Sequence, residues 1–315
     1  MNFWIKLKKP ILALAPICGV TDSAFRQICK KCGADVVYSE MASVDALYYR
    51  RSAVKTFELV KFEKRERPYV VQLFGKDPEK FKRAAEIVTE KIKPQGIDIN
   101  LGCPAKKVFG HGSGAALMND TKKAAEIIKA VKENTCLPVS IKIRSEVKGV
   151  TATQFLASLN CSMLSAVMIH GRSYAQGFTG QIDYAEIKKV KEMLKIPILA
   201  NGGINTAEDA VCMLDKTGAD GLGLARGVYG KPWLFTQIKN YLAEKKYREP
   251  DMSVIIKIIL DHARRAKKTK GGRGIMELRK HLTWYIKGFA GAKELRQKLV
   301  LVETVDEIKV ILEKI

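Results

Sequence analysis

Hydrophobic and polar positions follow a repeating pattern from the start of the chain to about residue 230. Short apolar runs are separated by longer stretches in which apolar residues recur every three or four positions, as in an amphipathic helix. In residues 123–132, for example, Ala124, Ile127, Ile128 and Val131 would share one helix face. The apolar runs predict eight strands, at residues 11–16, 34–38, 69–74, 96–101, 139–144, 166–170, 198–201 and 221–225.

This alternation predicts the fold class. Continuous apolar strands that alternate with helices form a parallel sheet covered on both faces, and eight such repeats match an α/β fold of the (β/α)8 TIM-barrel type. An open doubly wound sheet is disfavoured because no Gly-x-Gly-x-x-Gly follows the first strand. Helix N-caps are predicted at Thr121, Asp183 and Thr206, and Glu186 follows Asp183 as in a capping box.

The pattern changes after residue 233, where no further strand is predicted. Helices are expected over 232–244, 252–268, 274–288, 292–298 and 305–314, with turns at 249–251 and at Gly271-Gly272. The sequence therefore predicts two domains, a catalytic barrel over residues 1–240 and a small all-helical C-terminal domain over 241–315.

Composition adds a strong positive charge to this picture. The 55 Lys and Arg residues exceed the 33 Asp and Glu residues by 22 charges, which indicates a polyanionic partner, either nucleic acid or an anionic membrane surface. No apolar run is long enough to cross a bilayer. Seven cysteines without a disulfide pattern predict a cytoplasmic protein, and Cys29 and Cys32 lack the further ligands of a metal site. No obligatory protein partner is evident.

Polar residues at the ends of the predicted strands indicate a functional site. The carboxyl ends of barrel strands meet at one rim, where the active sites of TIM barrels lie. A lysine within an apolar strand, as at position 142, is costly to bury without a partner. Gly202, Gly203 and Arg226 follow the last two strands, where these barrels commonly bind phosphate. The other polar residues at this rim are Gln72, Asp98, Asn100, Arg144, His170, Arg172 and Asn201.

A phosphorylated cofactor across the rim would satisfy this set, and flavin mononucleotide (FMN) fits with Lys142 and Gln72 at its other end. Pyridoxal phosphate would need a partner for its pyridinium nitrogen, for which the sequence offers no candidate. Cys103 follows the fourth strand in a Gly-Cys-Pro turn. A free thiol, with an ordinary pKa near ~8.5, can donate a proton at neutral pH. The residues alone thus predict reduction of a polarised C=C bond beside a reduced flavin.

The same residues, in the same order, resemble the tRNA-dihydrouridine synthase family. The matching segments are Leu14-Ala15-Pro16, Gln72-Leu-Phe-Gly75, Asn100-Leu-Gly-Cys-Pro104, Lys142-Ile-Arg144, His170-Gly-Arg172, Asn201-Gly202 and Arg279-Lys280-His281. The resemblance implies an FMN-binding barrel followed by a helical tRNA-binding domain. It also implies NADPH-dependent reduction of the C5=C6 bond of specific uridines in tRNA to 5,6-dihydrouridine.

The resemblance further implies roles for individual residues. Cys103 would protonate C5 of the uracil, while Asn100, His170 and Arg172 would surround the flavin and the uracil edge. The residues that would hold the cofactor are Pro16, Ile17, Cys18, Gln72, Lys142, His170, Asn201, Gly202, Gly203, Ala225 and Arg226. Family members usually have Met-Ala or Met-Ser at positions 17–18, and many have Asp at 203 and Gly at 225. These departures bear on the subfamily rather than on the activity.

Residues 260–298 supply a basic surface for the expected RNA. Twelve Lys and Arg residues against three Asp and Glu residues give this segment a net charge of +9, and a solvated helix normally mixes both signs. Arg279 and Lys280 are predicted to contact tRNA. A flavin-barrel dehydrogenase for a small pyrimidine-like substrate is the alternative enzyme, but it leaves this basic segment unexplained. A non-enzymatic RNA-binding barrel is a further alternative, and it predicts a protein without bound flavin.

Overall fold

The structure, a computed structural model, describes residues 2–313 and, within that range, all side chains except those of residues 50–53. In this described part of the chain, eight parallel strands close into a barrel in which each strand pairs with its neighbours in chain order and the first pairs with the last. The predicted TIM-barrel fold is confirmed. The strands are β1 Ile11–Leu14, β2 Val36–Ser43, β3 Tyr69–Phe74, β4 Gly96–Asn100, β5 Val139–Arg144, β6 Ala166–His170, β7 Ile198–Asn201 and β8 Gly221–Leu224.

Helices cover the outside of the barrel. They are α1 Ser23–Lys31, α2 Val44–Tyr48, α3 Arg50–Val60, α4 Pro78–Ile87, α5 Lys106–Gly110, α6 Thr121–Glu133, α7 Ala152–Ala157, α8 Tyr184–Met193, α9 Ala207–Thr217 and α10 Leu234–Glu244. A short hairpin of Glu146–Val147 and Val150–Thr151 lies outside the barrel, between β5 and α7. The amphipathic pattern predicted for residues 123–132 is confirmed, because Ala124, Ile127, Ile128 and Val131 are all buried on α6.

Strand β2 differs most from its predicted range. It begins at Val36 and continues five residues beyond the predicted end at residue 38, with a register shift between Tyr38 and Met41. Ser39 and Glu40 end the apolar run in the sequence, but both side chains are buried because the fold supplies partners. The Ser39 hydroxyl accepts the backbone N–H of Gln72 at 2.9 Å, and the Glu40 carboxylate accepts the backbone N–H of Gly19.

Two of the three predicted N-caps are confirmed. Asp183 caps α8 by accepting the Glu186 N–H, and Thr206 caps α9 in a capping box with Asp209. The prediction for Thr121 is wrong, since the cap of α6 is Asp120, whose carboxylate accepts the Lys123 N–H, and Thr121 is the first helical residue. Asp is as good an N-cap as Ser or Thr, and Asp120 directly precedes Thr121, so the sequence pattern alone does not decide between them.

Alternate strand residues fill the barrel interior. Near the amino ends of the strands the interior is apolar, with Trp4 from the preceding short helix packed against Tyr38. Toward the carboxyl ends it becomes polar, and residues two apart on one strand face the same side, as do Asp98 and Asn100. The register sets Asn100 beside Lys142, and His170 beside both Arg144 and Asn201. The fold thus concentrates polar groups at one end of the barrel.

The C-terminal helices form a second core. They are α11 Met252–Tyr285, α12 Ala292–Leu299 and α13 Val305–Leu312. The predicted break at Gly271-Gly272 is a kink within α11, where Gly271 has φ +60°. The predicted end of the last helix at residue 314 lies outside the described residues.

Helix α10 crosses the predicted domain boundary at residue 240. Its buried residues Leu234, Phe235 and Ile238 belong to the core of the barrel, whereas Ile259 and Leu282 of α11 belong to the second core. We propose the connection between α10 and α11 as the boundary. Among the described residues, no helix has the length and hydropathy needed to cross a membrane. The same residues contain no group of three or more His, Cys, Asp or Glu placed to hold a metal ion.

Candidate active site

A cavity of about 640 Å³ opens at the carboxyl ends of the strands, and we call it the rim cavity. Its volume lies within the range of small-molecule and cofactor sites. Most of the predicted site residues line it together. They are Pro16, Ile17, Cys18, Gln72, Asn100, Cys103, Lys142, His170, Arg172, Asn201, Gly202, Gly203, Ala225 and Arg226.

Met41, Phe178 and Tyr229 are among the lining residues that were not predicted from the sequence. Met41 comes from the unexpected extension of β2, and its sulfur accepts an N–H of the Asn100 side chain at 2.8 Å. Phe178 comes from the loop after β6 and is half exposed, while Tyr229 follows β8. None of them interrupts the pattern of strands in the sequence, so only the folded structure shows that they reach the cavity.

The rim cavity is strongly electropositive. Lys142, Arg144, Arg172 and Arg226 all contribute to its wall, and its described lining residues include no Asp or Glu. Four cations in a wall with no carboxylate among its described lining residues favour an anionic ligand, and Asp98, the buried carboxylate near Lys142, does not reach the cavity. The cavity is therefore suited to a ligand that carries phosphate or another anionic group.

Lys142 is a cation whose pKa is strongly shifted by its surroundings. Burial, together with the nearby Arg144 guanidinium, lowers the pKa of Lys142 to about 8, although Asp98 and Cys103 act in the opposite direction. Its ammonium donates to the Asn201 side-chain oxygen at 3.1 Å. Asn201 in turn donates to the Gly223 carbonyl at 2.6 Å, so the orientation of its amide is fixed. The ammonium is held at the cavity by a neutral acceptor and remains available to an anion.

His170 is held in its neutral form. Burial, reinforced by Lys142 and three arginines, lowers the pKa of His170 to about 2. A neutral imidazole has one nitrogen that donates and one that accepts a hydrogen bond. At neutral pH His170 can therefore orient a ligand but contributes no positive charge.

Arg144 connects two walls of the rim cavity. Its guanidinium donates to the Gly102 carbonyl at 2.9 Å, next to Cys103. It also donates to the carbonyls of Ser173 at 2.7 Å and Gly177 at 2.9 Å, in the loop after β6. The planar fork of an arginine suits such multiple contacts. Arg144 was predicted to lie at the rim but was not assigned to the site, because its bonds to backbone carbonyls leave no trace in the sequence.

The turn after β7 requires glycine. Gly202 has φ +109° and Gly203 has φ +71°, a region that disfavours other residues. A Cβ atom on Gly202 would also lie 2.6 Å from the His170 ring. Arg226, which follows β8, donates to the Phe178 carbonyl at 2.7 Å, and its guanidinium lies 4.9 Å from the Phe178 ring centroid. The glycine turn and Arg226 therefore form one side of the electropositive wall.

Cys103 lies in the cavity wall just beyond β4. Its backbone N–H donates to the Asn100 side-chain oxygen at 3.0 Å, and the Gly102 N–H donates to the same oxygen at 3.2 Å. The thiol is partly exposed to the cavity. The turn that carries Cys103 is thus anchored to the end of the strand before it.

The helical domain contacts the cavity wall. The Tyr229 ring stacks on Trp284 of α11 with centroids 4.2 Å apart and planes 6° from parallel. Lys280 lies close enough to oppose the rise in the pKa of Cys18, which burial, Glu40 and Cys103 cause. Neither Arg279 nor Lys280 lines the rim cavity. The Arg279 guanidinium donates to the carbonyls of Val302 and Leu301, so its main contacts are within the helical domain.

The sequence of the chain matches a known family over nearly its whole length. The family model for dihydrouridine synthase matches residues 13–315. The chain belongs to the dihydrouridine synthase family. It is 34% identical over 304 residues to tRNA-dihydrouridine synthase B of Pseudomonas aeruginosa, covering 94% of this chain and 89% of that one. It is 37% identical over 297 residues to a probable tRNA-dihydrouridine synthase of Rickettsia conorii, covering 93% and 88%.

Solved structures share the fold at much lower sequence identity. A 2-naphthoyl-CoA reductase is similar with a TM-score of 0.54 and 10% identity, over 75% of this chain and 50% of that one. A 6-hydroxypseudooxynicotine amine oxidase of Pseudomonas geniculata has a TM-score of 0.53 and 12% identity, over 74% and 47%. These similarities support the barrel architecture alone.

Proposed function

We propose that this member of the dihydrouridine synthase family is a tRNA-dihydrouridine synthase. It reduces the C5=C6 bond of specific uridines in tRNA to 5,6-dihydrouridine, with FMN in the rim cavity and NADPH as the hydride donor. The observation that carries the proposal is the position of Cys103, a partly exposed thiol in the wall of a cavity lined by four cations and, among its described residues, no carboxylate. Because its substrate is tRNA, we place the enzyme in the cytoplasm.

The residues of the rim cavity fit FMN. The phosphate would bind at the Gly202-Gly203 turn and Arg226, where the backbone is free of side chains and a guanidinium is near. The Lys142 ammonium would support an anionic form of the isoalloxazine ring, since its bond to Asn201 leaves two donors unused. The remaining residues that we assign to the cofactor are Pro16, Ile17, Cys18, Gln72, His170 and Ala225.

Each residue around the substrate has a distinct task. When bound, FMN supplies the hydride for C6 of the uracil. The Cys103 thiol donates the proton to C5, and the Arg172 guanidinium binds the polar edge of the base. Asn100 lies beside the base and holds the turn that carries Cys103, because its amide is already bonded to Met41, Gln72 and that turn. A uridine within folded tRNA must leave its stack to enter the cavity, at a cost of a few kcal/mol. Uridines in loops that are already distorted are therefore the preferred substrates.

The basic face of the helical domain is where we place the tRNA backbone. Of the twelve basic residues in 260–298, Arg265, Lys270 and Arg273 form close ion pairs with acidic side chains. Six others are exposed and have no ion pair in the part of the chain that the structure describes. These six, which we call the basic face, are Arg264, Lys267, Lys268, Lys287, Lys293 and Lys298. Their unpaired charges would release counterions from a phosphate backbone.

The test is tRNA reduction by purified protein supplied with FMN, NADPH and tRNA that lacks dihydrouridine. Wild-type protein should form dihydrouridine, while Cys103→Ala should still bind flavin and oxidise NADPH but lose most of the product. Cys136→Ala, which alters an exposed thiol that does not line the cavity, is the matched control. Undiminished dihydrouridine yield from Cys103→Ala would contradict the assignment of Cys103 as the proton donor.

A further inference from the structure

A chain of buried hydrogen bonds runs through the barrel interior toward Cys103. It begins at Asp98 of β4, which is fully buried beneath the rim cavity and does not line it. The Asp98 carboxylate accepts the Ser140 hydroxyl at 2.6 Å and the Gln72 side-chain N–H at 2.7 Å. The Gln72 side-chain oxygen then accepts an N–H from Asn100 at 2.9 Å. Asn100 holds the backbone N–H groups of Gly102 and Cys103.

The chemistry at the two ends fixes the direction of every bond in this chain. An ionised carboxylate can only accept hydrogen bonds, and a backbone N–H can only donate them. Gln72 must therefore turn its nitrogen toward Asp98 and its oxygen toward Asn100. Asn100 must likewise turn its nitrogen toward Gln72, which leaves its oxygen for the turn that carries Cys103. No amide in the chain can flip without breaking bonds at both of its neighbours.

The hydrogen-bond partners of Asp98 oppose the effect of burial on its carboxylate. Burial raises the pKa of Asp98 to about 6, while the bonds from Ser140 and Gln72 and the nearby Lys142 ammonium limit the rise. Burial and the nearby Asp98 raise the pKa of the Tyr38 phenol well above its usual value, so Tyr38 carries no charge at neutral pH. Asp98 does not line the rim cavity, so it is not placed to contact a ligand bound there. Burial of a carboxylate is costly unless hydrogen bonds compensate it, and Asp98 has such bonds from Ser140 and Gln72. These are the partners expected of a fixed anchor.

We propose that Asp98 is a positioning residue for proton transfer, which acts through Gln72 and Asn100 to hold the turn that carries Cys103. The proposal rests on the proposed role of Cys103, and it adds a residue that never touches the substrate. The same chain also sets which atoms of Gln72 and Asn100 face the cavity. Loss of the anchor should therefore affect the geometry of Cys103 before it affects the barrel.

Amide hydrogen exchange in protein without flavin or tRNA tests this directly. Asp98→Ala should accelerate exchange at Gly102 and Cys103 at least tenfold. The N–H groups of Leu101 and Val167, which bond to the backbone carbonyls of Lys142 and Pro197, should change less than threefold. Asp98→Asn retains a side-chain oxygen for Gln72, so it should restore most of the protection.

Ser140→Ala is the matched control for a change inside the barrel. It removes one bond to Asp98 but leaves the link through Gln72, so exchange at Gly102 and Cys103 should stay within threefold of wild type. If Asp98→Ala does not fold, Gln72→Met breaks the chain one residue later and should give the same selective acceleration. Three results would overturn the proposal. The first is equal acceleration of all four amides, and the second is the same selective acceleration in Ser140→Ala. The third is unchanged exchange at Cys103 in folded Asp98→Ala or Gln72→Met.

Kinetics separate this proposal from the proposed function. Asp98→Ala should lower kcat for dihydrouridine formation at least tenfold and leave KM for tRNA within threefold, because the basic face is untouched. If wild-type protein makes no dihydrouridine, the proposed function fails, while the exchange result still decides whether Asp98 anchors the turn. A rise in KM with unchanged kcat would contradict the positioning role.

Discussion

Replacement of Arg144 by lysine should loosen two walls of the rim cavity at once. The buried guanidinium joins Gly102 to Ser173 and Gly177 through bonds of 2.7–2.9 Å. The three N–H donors of a lysine ammonium radiate from one atom and cannot span both walls, so lysine would satisfy about one of these three carbonyls. Hydrogen bonds to charged groups contribute ~1.5–3 kcal/mol each, and water at the cavity edge would recover part of the loss. We expect Arg144→Lys to lower the free energy of unfolding by about 2–4 kcal/mol.

Urea unfolding and thermal unfolding measure this change. With a shift in Tm of roughly 2 °C per kcal/mol for a chain of this size, Arg144→Lys should lower Tm by at least about 4 °C. Arg83→Lys is the control, because Arg83 is a half-exposed surface residue paired with Glu86, and its replacement should cost less than ~0.5 kcal/mol. If Arg144→Lys and Arg83→Lys have the same Tm and free energy of unfolding, the hydrogen bonds of the Arg144 guanidinium do not stabilise the two walls, and our account of these walls is wrong.

Three further predictions concern charge. Lys142→Met should weaken FMN binding at least tenfold by equilibrium dialysis, and a variant that retains flavin as wild type does would remove Lys142 from the cofactor site. Burial lowers the pKa values of His170, His262 and His281, so below pH 6.5 the unfolded chain binds more protons than the folded one. The free energy of unfolding should therefore fall as the pH is lowered from 7 to 5, by up to ~1.4 kcal/mol per pH unit for each of these histidines. Asp98 acts in the opposite direction, because burial raises its pKa and the folded chain then binds up to about one more proton there than the unfolded chain. His281→Gln should flatten this dependence in urea titrations, and an unchanged slope would contradict it. Finally, tRNA binding should weaken at least tenfold between 50 and 200 mM salt, and a salt-independent affinity would favour a small substrate.

The barrel could be predicted from the sequence because its signal is local. Six strands, β3 to β8, match their predicted ranges to within one residue, since each is an apolar run bounded by turn residues. The extension of β2 could not be predicted, because Ser39 and Glu40 look like the end of a strand until Gln72 and Gly19 supply their partners. Burial of a polar residue depends on its partners, and these come from distant parts of the chain.

The rim residues could also be predicted, since strand ends in a barrel converge regardless of detail. The contacts among them could not. Arg144 acts on backbone carbonyls, and Asp98 acts through two amides on neighbouring strands, so neither has a sequence signature. Tyr229 reaches the cavity and stacks on Trp284 only because the helical domain packs against the barrel. The sequence alone could likewise not show that Arg279 bonds mainly to Val302 and Leu301.

Dihydrouridine mapping in cellular tRNA tests the central claim most directly. tRNA from a strain without this gene should lack dihydrouridine at one or a few positions. The wild-type gene should restore these positions, Cys136→Ala should restore them equally, and Cys103→Ala should not. An unchanged dihydrouridine pattern after loss of the gene, or full restoration by Cys103→Ala, would contradict the account of this chain as a tRNA-dihydrouridine synthase that uses Cys103.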